Sequence, residues 1–269
     1  MRHFVIRQYL SQDTHPIAGM FRSLRLFGLI VLGVLSLGCS GTGGAYKQSD
    51  SGGNGSGQAS ERGTASRSMF EEPGHIVRYD QGSSVLFDLF LAPGGVGEYH
   101  LHEHAMTLIM LQSGELAHQV RGEPWKEEPV RQAGSLRVVT SFVDDPLEHR
   151  ARNSSPSEAA RAIAIINLDK KQDLKQTKSD YQGGGVIENA WFRISRVFVG
   201  GNAVSAMLNP DYDAYLIQYE DGLRHVIESG RRHSFQSASG GFSFHVAGSS
   251  FQVANESRRQ RQFLLVEVK

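Results

Sequence analysis

From residue 69 onward the chain is written in short runs of β-branched and aromatic residues closed off by Gly, Pro, Asn or Asp, and no stretch carries a long amphipathic helix. Runs of this length and composition predict strands. Ser84 to Leu91, Met106 to Gln112, Leu136 to Thr140 and Ala162 to Leu168 form one group; Phe192 to Val199, Tyr215 to Tyr219, Phe242 to Val246 and Phe263 to Val268 form another. Many short strands with turn signals between them predict an all-β sandwich or barrel. A polar stretch from Asp169 to Gly185, ending in Gly183, Gly184 and Gly185, separates the groups. Two domains follow, over 69–169 and 187–269, with a linker over 170–186. Their glycines echo each other: Gly114 precedes Gly134 much as Gly222 precedes Gly240, the mark of a weak internal repeat.

The N-terminus reads differently. Arg22 and Arg25 precede an apolar run from Leu26 to Gly38 that stops at Cys39, the single cysteine of the chain. A basic stretch, a short apolar stretch and a small residue before the cut make a secretory signal, over residues 1–39, and the run is short for a membrane-spanning helix. Ser36-Leu37-Gly38-Cys39 resembles a bacterial lipobox, which implies lipidation of Cys39; cleavage nearby without lipidation is the alternative. Met20 stands directly before the signal and is a second candidate start. Residues 40–68 are Gly, Ser, Thr, Ala and Gln with scattered charge, too poor in apolar surface to offset ordering entropy, and read as a flexible tether. The expected location is the cell envelope, as a lipid-anchored or a secreted protein. With no cysteine after Cys39 the domains carry no disulfide and rest on core packing. With 28 basic and 28 acidic residues the net charge is zero, which gives no general attraction to nucleic acid or an anionic membrane. Membrane contact is therefore expected through the anchor alone, and a homodimer is compatible with the sequence.

The chemistry concentrates in Gly94 to Gly114. His100, His102 and His104 alternate, and alternate side chains of a strand share a face. Neutral imidazole is a common ligand for Zn, Fe, Mn, Ni and Cu, and an HxH pair on one strand can chelate a single divalent ion. A third ligand must come from elsewhere, and His149, with Asn153 four positions on, is the candidate.

Gly94, His100, His102, Thr107 and Gly114, followed by Gly134, His149 and Asn153, resemble the two sequence motifs of the cupin superfamily. The resemblance covers roughly residues 80 to 268 and implies two tandem cupin-type double-stranded β-helix (jelly-roll) barrels. Thr107 stands where the superfamily's metal-binding glutamate is usual, and the stretch from Gly134 to His149 is longer than usual. The resemblance thus implies a three-histidine site, His100, His102 and His149, as in cupin dioxygenases of that kind. In the second half, Leu208 and Pro210 fall opposite His100 and His102, and Phe251 opposite His149, so that barrel is expected to hold no metal. The first barrel is also similar to sugar-sensing cupin domains of AraC-type regulators, whose histidines need not hold metal.

Three further residues are secondary candidates. His104 either continues the inward alternation or lies past the strand end; Thr107 occupies the ligand-like position; Glu98 either shares the inward face, as an acid, base or supporting partner, or sits in the preceding loop. His118, His225, His233 and His245 have no ligand-spaced neighbours and read as surface or structural histidines, Arg150 and Arg152 as outward-facing, Arg258 to Arg261 as a solvated strand end or loop, and Trp125 and Trp191 as barrel packing. Two functions remain open. One is a metal-dependent cupin enzyme acting on a small molecule, a dioxygenase in its sharper form and an isomerase or hydrolase in its broader form. The other is a non-enzymatic module that captures a sugar or similar ligand.

Overall fold

The computed structural model of the protein describes residues 67–169, 181–182, 186–220, 222–237 and 239–269. Among these no helix is long and apolar enough to cross a membrane. The expected signal, Cys39, the tether as far as residue 66 and most of the linker lie outside the described residues.

The first barrel runs through β1 (Arg67–Ser68), β2 (His75–Asp80), β3 (Ser84–Leu91), β4 (His100–His102), β5 (Ala105–Met110), β6 (Leu116–Val120), β7 (Lys126–Glu127), β8 (Leu136–Val139), β9 (Leu147–Asn153), β10 (Ala160–Asn167) and β11 (Tyr181–Gln182). The second runs through β12 (Ile187–Glu188), β13 (Phe192–Val199), β14 (Ala203–Val204), β15 (Asp213–Gln218), β16 (Gly222–Glu228), β17 (Arg231–Ser237), β18 (Gly241–His245), β19 (Phe251–Asn255) and β20 (Arg261–Val268). Two residues expected in the tether, Arg67 and Ser68, pair in parallel with β4, and two expected in the linker, Tyr181 and Gln182, pair with β8.

The sheet orders show that one barrel repeats the other. The first has sheets β1-β4-β9-β6-β7 and β11-β8-β5-β10-β3-β2; the second has β14-β19-β16-β17 and β12-β13-β20-β15-β18. Each strand of the second barrel corresponds to the strand ten places earlier. The asparagine at the end of β9 and of β19 makes the repeat concrete. Asn153 donates to the carbonyls of Leu91, Ala92 and Glu158 and accepts from Ser155 N–H. Asn255 donates to the carbonyls of Val199, Gly200 and Arg259 and accepts from Ser257 N–H. Each buried side chain thus joins two stretches of backbone and satisfies three carbonyls and one N–H that would otherwise be orphaned.

The larger sheets of the two barrels share one apolar layer. Leu86, Ile163 and Ile165 from the first barrel form a single cluster with Trp191, Tyr215 and Leu264 from the second. Two polar links cross it: Ser84 Oγ lies 2.8 Å from Tyr215 Oη, and Asn167 donates to the carbonyls of Trp191 and Lys269. Because strand side chains alternate, the same strands turn their other face into their own barrel.

Those inward faces differ. β10 points Ala160, Ala162 and Ala164 into the first barrel, whereas β20 points Phe263 and Leu265 into the second from the register positions of Ala162 and Ala164. The second interior is filled by Val197, Val199, Leu216, Phe251, Val253 and Phe263. Leu208 bridges Phe251 as His100 pairs with His149, and Pro210 is buried. Apolar side chains therefore sit at the positions that carry imidazoles in the first barrel. One buried histidine contributes here: the His245 ring stacks on Phe251 at 3.5 Å, and its Nε2 lies 2.9 Å from Ser243 Oγ.

Burial, reinforced by the charge of Arg224, lowers the His245 pKa from 6.5 to about 4. Below pH 6.5 the unfolded chain takes a proton there that the folded chain refuses, so the stability present above 6.5 is lost as pH falls toward 4. That difference corresponds to about 3 kcal/mol. Urea unfolding at pH 7 and pH 4.5 should show His245→Leu losing measurably less stability than the natural protein over that interval.

Candidate metal centre

β4 and β9 pair antiparallel with His100 opposite His149, and alternation places His102 on the same face. The ring centroids of His149 lie 5.2 Å from His100 and 4.7 Å from His102. The ligand nitrogens of all three lie within 4.8 Å of one another. His100 Nδ1–H donates to the Glu98 carbonyl at 2.9 Å, since a carbonyl only accepts, and this leaves the Nε2 lone pair directed into the barrel. There it meets His102 Nε2 at 3.0 Å, while His102 Nδ1 is buried without a hydrogen-bond partner.

Burial is the largest cause lowering the pKa of each histidine. His102 is pushed well below 6.5, with further help from His149, His100, His75 and Arg137. His149 falls to about 3, aided by His100, His118, His75 and Arg137. His100 is lowered less, because the Glu98 carbonyl and Glu72 oppose the effect. All three are neutral at physiological pH, the form that binds metals. Two nitrogens bound about 2.1 Å from one ion at a right angle would lie about 3.0 Å apart, which matches the His100–His102 separation. The residues present therefore fit a transition-metal ion.

Three secondary candidates are placed elsewhere. His104 sits in the bend between β4 and β5, with Nε2 3.7 Å from Glu103 and outside the converging set. Thr107 is buried, but on the face of β5 opposite Met106 and Leu108, which line the barrel interior; its hydroxyl makes no hydrogen bond. Met106, four residues after His102, is thus the inward neighbour of the histidines, and no carboxylate stands there. Glu98 turns its half-exposed side chain outward to Arg67 and serves the site only through its carbonyl.

The inward carboxylate is instead Glu72, which is buried, accepts the Glu98 N–H at 3.0 Å and lies 3.8 Å from His100 Nδ1. His75, on β2, is a fourth imidazole of the cluster, 4.6 Å from His100 between centroids; its Nδ1–H donates to the Met69 carbonyl, and burial with the nearby His100 lowers its pKa to about 4. Neither residue belongs to a spacing motif. The extra residues before His149 form a 3-10 turn, Ser141–Val143, that brings Phe142 against His102 at 5.0 Å.

The histidines face a cavity of about 360 Å³, made possible by the small β10 side chains. Its walls include Leu108, Met110, Leu116 and Ala162, and its polar part carries His118, Glu128, Arg131 and Arg137. His118 is therefore a cavity residue: β6 aims it inward, 6.4 Å from His149, with Nδ1 3.2 Å from Glu128. Arg137 carried a readable signal, as a lone arginine inside the apolar run Leu136, Val138, Val139. Arg150 and Arg152 point outward, as alternation requires, and clamp Trp125 from outside, so Trp125 packs on the barrel's exterior while Trp191 is in the layer between barrels. His225 is buried 2.9 Å from Glu256, His233 is exposed, and Arg258 and Arg259 are exposed.

No protein-family model matches this sequence, and no curated protein matches it. Among solved structures the chain is similar to AerE from Microcystis aeruginosa, at 10% identity and a TM-score of 0.55, covering 71% of this chain and 90% of that one. It is also similar to a salicylate 1,2-dioxygenase from Pseudaminobacter salicylatoxidans, at 8% identity and a TM-score of 0.50, covering 72% of this chain and 76% of that one. The chain has the cupin fold, as two tandem barrels.

Glu72→Ala should cost about 1 to 3 kcal/mol by removing the acceptor of a partly buried N–H. Glu98→Ala, which removes an exposed side chain and spares the carbonyl, should stay within about 0.5 kcal/mol. Urea denaturation of the two variants tests which glutamate serves the site.

Proposed function

We propose that the protein binds one divalent transition metal through His100, His102 and His149 and acts on a small organic molecule in the adjoining cavity, as a three-histidine cupin enzyme of the dioxygenase type. The observation that carries this reading is the convergence of three neutral, buried imidazoles on the wall of a cavity large enough for a small molecule. A bound ion would supply Lewis acidity and, if redox-active, electron exchange. The chain's own residues do the rest. The Glu98 carbonyl fixes the tautomer and orientation of His100. Phe142, Met106 and Leu147 line the approach to the histidines with apolar surface and limit water there. The three β10 alanines leave room for a substrate that the second barrel, filled by Phe263 and Leu265, does not offer.

A second reading is a binding protein without catalysis. Met106 favours it, because no carboxylate completes the ligand set where Met106 stands. Metal analysis of the full chain separates the two. One ion or fewer per chain is expected, lost in the His100→Ala, His149→Ala variant and retained in Phe251→Ala. Two ions per chain, or an ion that survives the double change, would place the chemistry in the wrong barrel; ligand binding undiminished in metal-free protein would favour the second reading.

The proposed site of action is the cell envelope, with the protein tethered through lipidated Cys39. The lipobox-like Ser36-Leu37-Gly38-Cys39 and the apolar run before it support this. Cys39→Ser should move the protein from the membrane fraction to the soluble fraction or leave it unprocessed, and unchanged membrane retention on fractionation would exclude the anchor.

A further inference from the structure

We infer that the centre is a copper site in which the thioether of Met106 joins His100, His102 and His149 as a fourth ligand. The inference rests on the three-histidine reading of the site and names its metal and its remaining donor. Met106 follows His102 by four residues and lies near the start of β5, just after the bend that leaves β4. It is buried and lines the cavity that the three histidines line. Leu108 and Met110, the other inward side chains of β5, stand further along the strand. Met106 belongs to one apolar cluster with Val139, and Phe142, which packs against that cluster, brings its ring to 5.0 Å from His102. A methionine side chain has three rotatable bonds and a polarisable sulfur, so rotation of the side chain can bring the sulfur toward an ion held by the histidines.

The chemistry of this donor set selects copper. Thioether sulfur is a soft ligand that favours monovalent copper, imidazole suits copper, and divalent copper heads the affinity order for nitrogen sites. Harder ions such as Mn prefer carboxylates, carbonyls or water. The nearest buried carboxylate, Glu72, reaches His100 at Nδ1, the ring nitrogen that is turned to the Glu98 carbonyl and away from the converging set. Three neutral imidazoles and a neutral thioether leave the charge of an ion unbalanced among its own ligands, and in a buried site that costs less for a monovalent ion than for a divalent one. The second barrel lacks all four donors together. Leu208, Pro210 and Phe251 stand at the histidine positions, and Ala214 stands at the register position of Met106, since Ile166 pairs with Met106 as Glu267 pairs with Ala214. The sulfur occurs where the imidazoles occur and is absent where they are absent.

The test uses the full chain carrying Cys39→Ser, so that no thiol competes, loaded with Cu(I) in the absence of oxygen. Affinity is read by competition with a chromophoric Cu(I) chelator, and the ligand atoms by X-ray absorption at the copper edge. Ni(II), for which imidazole suffices, is titrated as the reference ion. Sulfur should be found around the copper. Met106→Leu, close in volume, should remove that sulfur and weaken Cu(I) at least tenfold while Ni(II) affinity changes less than threefold, a split that misfolding cannot imitate. Met69→Leu and Met110→Leu, which remove the sulfurs on either side of it in sequence, should leave both affinities unchanged. Unchanged Cu(I) affinity in Met106→Leu, equal losses of Cu(I) and Ni(II) there, or sulfur lost instead in Met69→Leu or Met110→Leu would overturn the proposal. The His100→Ala, His149→Ala variant keeps the two readings apart. Ni(II) binding that disappears in that variant, with no sulfur found around Cu(I) when the histidines are intact, removes the role of Met106 and leaves the three-histidine site standing. Ni(II) binding that survives the double change removes the three-histidine reading itself, and the fourth ligand with it.

Discussion

The apolar layer shared by the two large sheets is the constraint from which the other features follow. It occupies one face of β3, β5 and β10 in the first barrel and of β13, β15 and β20 in the second, and it gathers Trp191, Tyr215 and Leu264 against Leu86, Ile163 and Ile165. Burial of that face removes a large apolar area from water, the main favourable term in folding, at about 25 cal/mol per Å². Because it is shared, neither barrel must derive all of its stability from its own interior. One interior is packed with Phe251, Phe263 and Val253; the other can be left partly hollow and polar.

That freedom is used through few positions. Register aligns Ala162 with Phe263, Ala164 with Leu265, His149 with Phe251 and His118 with Val226, while Asn153 and Asn255 keep identical bonding in both halves. What holds the backbone in place is duplicated, and what fills or opens the interior is not. A cavity carved by alanines carries a cost in lost packing, and the layer between barrels offsets it from the opposite face of the same strands.

Much of this could be read from the residues themselves. Strand periodicity located β3, β5, β8, β10, β13, β15, β18 and β20 within a few residues, since runs such as Ser84 to Leu91 are apolar and flanked by turn residues, whereas β2, β9, β16 and β17, richer in charged and polar residues, were not picked out. The HxH alternation and His149 were visible because strand pairing joins two short local patterns. What escaped was decided by a single step of register. Thr107 and Met106 are neighbours in sequence and face opposite sides of the sheet, so placing the ligand-like position one residue too far exchanges a cavity residue for one in the layer between barrels. Glu98 and Glu72 show the other limit: a two-residue shift from His100 suggested a shared face, but the chain is not a regular strand there, and the buried carboxylate arrives from 26 residues upstream. Arg131, Glu128 and His118 come together only through the barrel's closure, which no local spacing encodes.

The short parallel pairing of β1 with β4 has a mechanical side. Arg67 lies beside His100 and Ser68 beside Leu101, Arg67 is held to the Glu98 side chain, and Ser68 caps the 3-10 turn Met69–Glu71 with a reciprocal bond from its N–H to Glu71. Any tension arriving along the chain from residue 66 therefore enters the domain at the strand that carries His100 and His102. The capping turn and the Glu72 carboxylate, which accepts the Glu98 N–H, lie between that end and the histidine strand. A pull on this end would meet the strand that carries the imidazoles before it reaches the second barrel.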